Sequence, residues 1–246
     1  MAHSRGCVCR AGALLTALAL GAMAPQGLRA SDTATVQDIL DGDELYINRK
    51  QARVKARAQA PEVVSTGNSR GQLGFSTGAA GRLNRFSLLR LGSRCFLLEK
   101  GQLLVSGPQN GCTRSARLSV RGTNYLVEVT EDGSSELTVL EGQVEVEPLR
   151  DGEPSGAAVT TLEAGQRLRI SPLGVVLSLL QLSAGDYTSI LSGPLFSGFT
   201  TALPALGALE SYVRTALPEV DIPSLPGIPS APVVPAVPSL PGFVFF

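Results

Sequence analysis

The sequence predicts an all-β protein, on three observations. The 246 residues are 43% hydrophobic but only 5% aromatic and 17% charged, with 27 glycines and 16 prolines, a profile of many turns around a β-rich core with non-globular stretches attached. Short apolar alternations recur through the middle of the chain and are cut by glycine-bearing turns, most regularly in SVRGTNYLVEVTEDGSSELTVLEGQVEVEP from Ser119 to Pro148. Each apolar segment between Thr66 and Val105 is also too short to form a stable helix in isolation.

The first thirty residues read as a signal peptide. Arg5 and Arg10 precede an apolar run from Ala11 to Ala24, and small residues at Ala30-Ser31 supply a cleavage point. The run is shorter than the about 20 apolar residues that span a bilayer; the alternative is an uncleaved N-terminal anchor. Cys7 and Cys9 precede the run, whereas a lipoprotein cysteine follows it. The expected mature protein is exported, periplasmic or elsewhere in the cell envelope, with no integral membrane span.

Removing that segment narrows the chemistry. It takes the single histidine, His3, leaving no imidazole for a Ser-His-Asp or Cys-His dyad or for a metal site, and no cofactor is expected. It also removes Arg5, Arg10 and Arg29 and no acid, so the balance of 21 bases to 21 acids becomes a mild negative excess, against a nucleic-acid partner. Cys95 and Cys112 remain. In an oxidising compartment such a pair across a short loop is most simply a disulfide, the alternative being two buried thiols.

The elements follow in order. Thr33 to Ile47 reads as a hairpin turning at Asp41-Gly42, which tolerates the positive φ of tight turns. Arg49, Lys50, Arg53, Lys55 and Arg57 follow; without interleaved aromatics they read as a solvated strand face rather than a nucleic-acid or lipid site. Leu73 and Phe75, Leu88 to Leu91, Phe96 and Leu98, and Leu103 and Val105 mark further strands. Tyr125, Val127 and Val129 then alternate with Glu128 and Thr130. Asp132-Gly133 turns, Leu137 to Leu140 returns, Glu141-Gly142 turns again, and Val144 and Val146 alternate with Glu145 and Glu147. After a polar loop at Asp151 to Gly156, Leu168 and Ile170 face inward and Arg167 and Arg169 outward. A place beside Val144 to Val146 would set these arginines against the row of glutamates.

Those motifs carry a family resemblance. VRGTNYLVEVTEDGSSELTVLEGQVEVE, followed by LEAGQRLRI and preceded by TGNSRGQLGFSTGAAGRL and SLLRLGS, resembles the FecR-like periplasmic domain across roughly residues 36–172. The motif residues are Arg121, Gly122, Thr123, Asp132, Gly133, Glu141 and Gly142; Ser115-Ala116-Arg117 stands where the family often has Thr-Pro. The resemblance implies a small module of short strands, a β-solenoid or sandwich, whose best-known members are anti-sigma regulators relaying iron-siderophore status across the inner membrane. Those regulators begin with a cytoplasmic segment and a transmembrane helix. Here the module directly follows a signal peptide.

Val175 to Leu182 reads as a last strand or a helical turn. Pro204 to Leu217 places Leu206, Leu209, Tyr212, Val213 and Leu217 at helical spacing, to pack on the module or, as the alternative, to lie on a membrane surface. Proline then recurs every third residue, at Pro223, Pro226, Pro229, Pro232, Pro235, Pro238 and Pro241, the period of polyproline II. Ile222, Leu225 and Ile228 begin a parallel apolar stripe, and Phe243, Phe245 and Phe246 end the chain. This tail reads as a partner-binding rod or as a low-complexity segment with no partner.

The resulting organisation is a signal peptide at 1–30, a FecR-like β-domain at 31–174, an apolar and helical extension at 175–217, and a proline-striped tail at 218–246. A glycan hydrolase needs a carboxylate pair, and Glu128 with Glu145 has no context that separates it from surface acids. The functional expectation is a non-enzymatic binding or scaffold module that recognises an envelope protein. The alternative is a sensor subunit in iron-siderophore-type signalling acting with a separate membrane partner.

Overall fold

The computed structural model describes residues 33–220. The segment read as a signal peptide and the residues of the proline stripe therefore lie outside the described residues. Within them the chain is half strand and one-tenth helix, bearing out the all-β class. The strands are β1 (Thr33–Leu40), β2 (Leu45–Ile47), β3 (Lys50–Gln51), β4 (Arg57–Gln59), β5 (Val63–Thr66), β6 (Arg70–Phe75), β7 (Ala80–Leu83) and β8 (Leu88–Arg90). They continue with β9 (Phe96–Gly107), β10 (Gly111–Cys112), β11 (Ala116–Val129), β12 (Ser135–Arg150), β13 (Glu153–Pro154), β14 (Thr160–Glu163), β15 (Gln166–Ile170) and β16 (Val176–Gln181). Two helices follow, α1 (Ala184–Leu191) and α2 (Leu206–Ala216).

All sixteen strands join one sheet network, whose main path runs β16-β15-β12-β11-β10-β9-β7-β6-β1-β4. Three long strands organise it, because each changes partner halfway along. The first part of β9 pairs with β8 and the second with β7 and β11; the first part of β12 pairs with β15 and the second with β14. Side chains from both parts meet in one core, with Leu98, Leu118, Val144 and Leu162 joining Leu73, Leu103, Tyr125, Val139 and Leu168. A shared core built from strands distant in sequence is nearer a sandwich than a solenoid, in which repeats touch only their neighbours.

Period-two alternation gives the middle strands a second buried face. Leu103 and Val105 point into the main core while Leu104 points out, and Tyr125 and Val127 point in while Leu126 points out. The outward set, with Ala80 and Leu140, is covered by Tyr187 and Leu191 of α1, Leu206, Leu209 and Val213 of α2, and Phe196 from the segment between them. The helix read from Leu206, Leu209 and Val213 thus packs on the sheet. Helix α1 was not anticipated from the sequence; its signal is the capping box of Ser183 and Asp186, in which each side chain bonds the other's backbone N–H.

Three local expectations need correction. Asp41 and Gly42 do take positive φ, 65° and 138°, yet β1 and β2 do not pair: β1 lies between β4 and β6, and β2 lies between β3 and β5. The Asp41 carboxylate is held by Arg70 at 2.6 Å and Arg85 at 2.8 Å, so this turn is a crossing between parts of the sheet. The tight hairpin is instead at Asn48-Arg49, both left-handed, between β2 and β3.

Glu141-Gly142 bends the chain without reversing it. β12 runs unbroken past Gly142 (φ 84°), and opposite it β11 slips register between Arg121 and Asn124, with Gly122 at φ 55°. A Cβ on Gly142 would lie 2.5 Å from Cγ2 of Thr123. The Arg-Gly-Thr and Glu-Gly motifs are therefore two sides of one paired bend, through which both strands pass from one part of the sheet to the other.

The arginine row of β15 meets other acids than expected, because β14 takes the place beside Val144 to Val146 and β15 pairs with Ser135 to Thr138. Arg167 lies 3.2 Å from Glu136 and Arg169 3.5 Å from Asp132, while Glu147 pairs with Arg117. The inward assignment of Leu168 and Ile170 holds, both being buried.

Candidate partner-binding edge

Val175 to Leu182 forms a strand, not a helical turn, because β16 pairs in antiparallel with β15 from Gln166↔Gln181 to Ile170↔Val176. That makes β16 the end of the sheet path, with one hydrogen-bonded neighbour and one free edge. Its composition is unusual for such a position. Leu173, Val175, Val176, Leu177, Leu179 and Leu180 are 44% to 60% exposed, and no charged residue occurs between Arg169 and Asp186.

Four other described strands have a single neighbour, and each carries a feature that discourages edge pairing: Lys50 in β3, Arg57 in β4, Glu153 and Pro154 in β13, and Glu163 in β14. The basic run read from the sequence belongs here. Arg49, Lys50, Arg53, Lys55 and Arg57 are all exposed along or beside β3 and β4, where they act as charged guards. β16 has no such guard. Beside its start lies an open groove of about 590 Å³ lined by Pro148, Arg150, Ala157, Leu173, Val175 and Val176. An unguarded apolar edge next to a shallow groove is suited to accepting an added strand, whose backbone bonds the free edge and whose side chains rest on the leucines and valines.

The other residues singled out in the sequence fall elsewhere. Cys95 and Cys112 form a disulfide that ties the chain before β9 to the adjoining short strand β10. Asp132-Gly133 is a true turn: Asp132 accepts the backbone N–H of Ser134 at 3.0 Å and the hydroxyls of Thr130 and Ser134. These hydrogen bonds, that of Thr130 first, hold its carboxyl down to about 2. Arg121, Gly122, Thr123, Glu141 and Gly142 make the bend; Asn124 there donates to Glu141 and to the Ala205 carbonyl, both at 2.9 Å. The tail candidates Ile222, Pro223, Leu225, Pro226, Ile228, Pro229, Phe243, Phe245 and Phe246 lie outside the described residues.

Glu128 and Glu145 are not brought together. Glu128 faces Glu136, whereas Glu145 lies nine residues further along β12 opposite Ser119 and Thr161. Nine residues of strand span roughly 30 Å, against the roughly 5 to 10 Å separating the carboxyls of a hydrolytic pair. The Glu128 carboxyl is pushed up by burial and then by Glu136, which marks packing against the sheet face.

Sequence reasoning missed Arg70 and Arg82. Arg82 is buried and donates to Gln72 at 2.8 Å and to the carbonyls of Leu195 and Thr201 at 3.0 Å. Arg70 donates to the carbonyls of Pro194 and Ser197. Nothing local in SRG or GRL distinguishes these from ordinary strand arginines; the carbonyls they bond lie more than 110 residues away.

Residues 62–145 match the family model described as FecR protein, inside the span whose motifs carry the resemblance. Two solved structures of a candidate anti-sigma factor from Parabacteroides distasonis ATCC 8503 are similar to this chain. One is 18% identical with a TM-score of 0.45, the other 17% identical with a TM-score of 0.42, and each alignment covers 62% of this chain and 73% of the other. No curated protein matches the chain.

Proposed function

We propose, starting from the FecR domain that residues 62–145 of this chain form, that the protein is an exported, non-enzymatic binding module of the cell envelope with a regulatory role. It recognises a protein partner by accepting a strand along β16. The observation that carries this reading is the contrast among the sheet's edges: four guarded by charge or proline, one uncharged, apolar and exposed. The disulfide suits an oxidising compartment. Among the described residues no helix is long and apolar enough to cross a membrane, which fits a module that works with a separate membrane partner if it serves transmembrane signalling.

Capture from envelope extract tests the reading. The full chain, a Leu180→Glu variant and a version ending at Leu217 are compared as bait. A partner held by the full chain and lost from Leu180→Glu supports recognition at β16. A partner lost only from the shortened version assigns recognition to the proline-striped tail, and capture by none of the three sinks the proposal.

A further inference from the structure

We infer that β16 pairs in antiparallel with β16 of a second copy of this chain, joining two sheets across a two-fold axis. The inference rests on the reading of β16 as a recognition edge and names what occupies it. Three observations point to a second copy.

The first is self-complementarity. Around Ser178 the strand reads Val176, Leu177, Ser178, Leu179, Leu180. An antiparallel pair centred on Ser178 sets Val176 against Leu180, Leu177 against Leu179 and Ser178 against its own copy, so apolar meets apolar and hydroxyl meets hydroxyl. Such like-to-like pairing is what an isologous two-fold interface demands, since each residue must accept its mirror position on the same surface.

The second is charge. Lys50, Arg57, Glu153 and Glu163 sit on edge strands only two to four residues long, so a symmetric pair of any of these edges holds two copies of one charge close together across the ladder, which weakens it. The sixteen residues from Ile170 to Gly185 contain no charge, so among the described edges β16 is the one whose symmetric pair brings together no like charges of its own.

The third excludes the chain's own tail over most of its length. Proline at every third position from Pro223 to Pro241 leaves two donors at most between successive prolines, and a ladder needs an N–H at every second residue. The longer proline-free runs of the tail are Glu219 to Ile222, which carries two acids, and Gly242 to Phe246, which the test below removes.

The test is sedimentation equilibrium of the purified full chain, of Leu180→Glu and Leu177→Lys, and of a version ending at Val220. Leu180→Glu keeps the fold, because residue 180 faces Arg167 on β15 and is 57% exposed; unchanged circular dichroism checks this, and Leu177→Lys repeats the test at a second exposed site. The expected result is a dimer for the full chain and the shortened version, with at least a tenfold weaker association for both variants. Oxidised Ser178→Cys should also give a disulfide-linked dimer, since residues directly opposite in an antiparallel pair lie within bonding reach. A full chain that stays monomeric at 100 µM, in the range of about 10⁻⁴ M that marks weak association, overturns the inference, as does a dimer indifferent to both variants or dependent on Gly242 to Phe246. A monomer whose capture of an envelope protein is lost in Leu180→Glu overturns self-pairing and leaves the recognition edge standing. A monomer whose capture ignores that variant removes both.

Discussion

The guanidinium of Arg82 lies 4.2 Å from the ring centroid of Phe199, and that of Arg70 lies 5.5 Å from the same ring. Around this ring the two arginines bind four carbonyls of the segment joining the helices, at Pro194, Leu195, Ser197 and Thr201. Asp38 completes the clamp by accepting the backbone N–H groups of Thr200 and Thr201 at 2.9 and 3.0 Å. A segment with little regular structure is thereby fixed across β1, β6 and β7, and its Leu195 and Phe196 help close the outer hydrophobic layer. Planar guanidinium groups suit this task, because they bond several carbonyls while stacking on an aromatic face.

Phe199→Ala is expected to destabilise the protein by about 3 kcal/mol, the usual scale for emptying a buried aromatic site. The loss combines a cavity with two cations that no longer have a ring to stack on. Urea denaturation measures it, and limited proteolysis between residues 193 and 204 should accelerate at concentrations of urea below the transition. An unaltered cleavage pattern would count against the clamp.

Arg82→Met separates packing from polar contacts, since methionine fills similar space and donates nothing. The carbonyls of Leu195 and Thr201 lose their donor, and an unsatisfied buried acceptor costs about 1 to 3 kcal/mol. A destabilisation of about 2 kcal/mol is expected. A stabilised variant would show instead that burying the charge costs more than these bonds return.

The paired bend makes a prediction by contrast between two glycines. Gly142 and Gly156 take similar φ, 84° and 78°, but a Cβ at Gly142 meets Thr123 Cγ2 at 2.5 Å whereas one at Gly156 meets nothing within 4 Å. Gly156→Ala should cost about 1 kcal/mol from left-handed strain alone, and Gly142→Ala about 3 kcal/mol once overpacking is added. Equal losses in thermal denaturation would mean that the steric contact at the bend is relieved by local movement.

What was legible in the sequence follows from the range over which each feature is determined. Alternation along Tyr125 to Val129 and Leu168 to Ile170 is set by neighbours one or two residues apart, so the strands and their inward residues read directly. The turn at Asp132-Gly133 is equally local, because Asp132 caps residues two positions away. Pairing is not local. A glycine with positive φ looks the same in Asp41-Gly42, where the chain crosses, in Glu141-Gly142, where it bends, and in Asp132-Gly133, where it reverses. The edge character of β16 was also hidden, since a run such as VVLSLLQL reads as buried until its neighbours are counted. The clamp arginines depend on carbonyls over a hundred residues away, whose positions no local pattern encodes.

Acid titration should register Asp132. Its folded-state value of about 2 lies below the ordinary 3.8, so its ionised form adds stability that is complete above about pH 4 and is lost as the pH falls through about 2. Asp132→Asn should flatten the dependence of the urea midpoint on pH across that window. The slope should shrink without vanishing, because Asp186, bonded by Ser183, and Asp41, bonded by Arg70, are also held below the usual carboxylate range. An unchanged slope would mean that the turn survives protonation without loss.

The disulfide between Cys95 and Cys112 closes a loop with a sequence separation of 17, and a cross-link of that size stabilises by about 3 kcal/mol in the chain-entropy account. Its surroundings matter as much as its loop. Phe96 beside it is buried and stacks on Phe75 at 6.0 Å, and Tyr125 bonds the carbonyl of Gln109 just before β10. With packing this dense on both sides, the Cys95→Ser, Cys112→Ser double variant should keep the native fold and lose about 3 kcal/mol, with the near-ultraviolet spectrum retained below the transition. Production of the wild type under reducing conditions should give the same loss, recovered on oxidation. If the reduced protein instead matched the oxidised one in stability, the bond would be irrelevant to folding, and one argument for an oxidising compartment would fall with it.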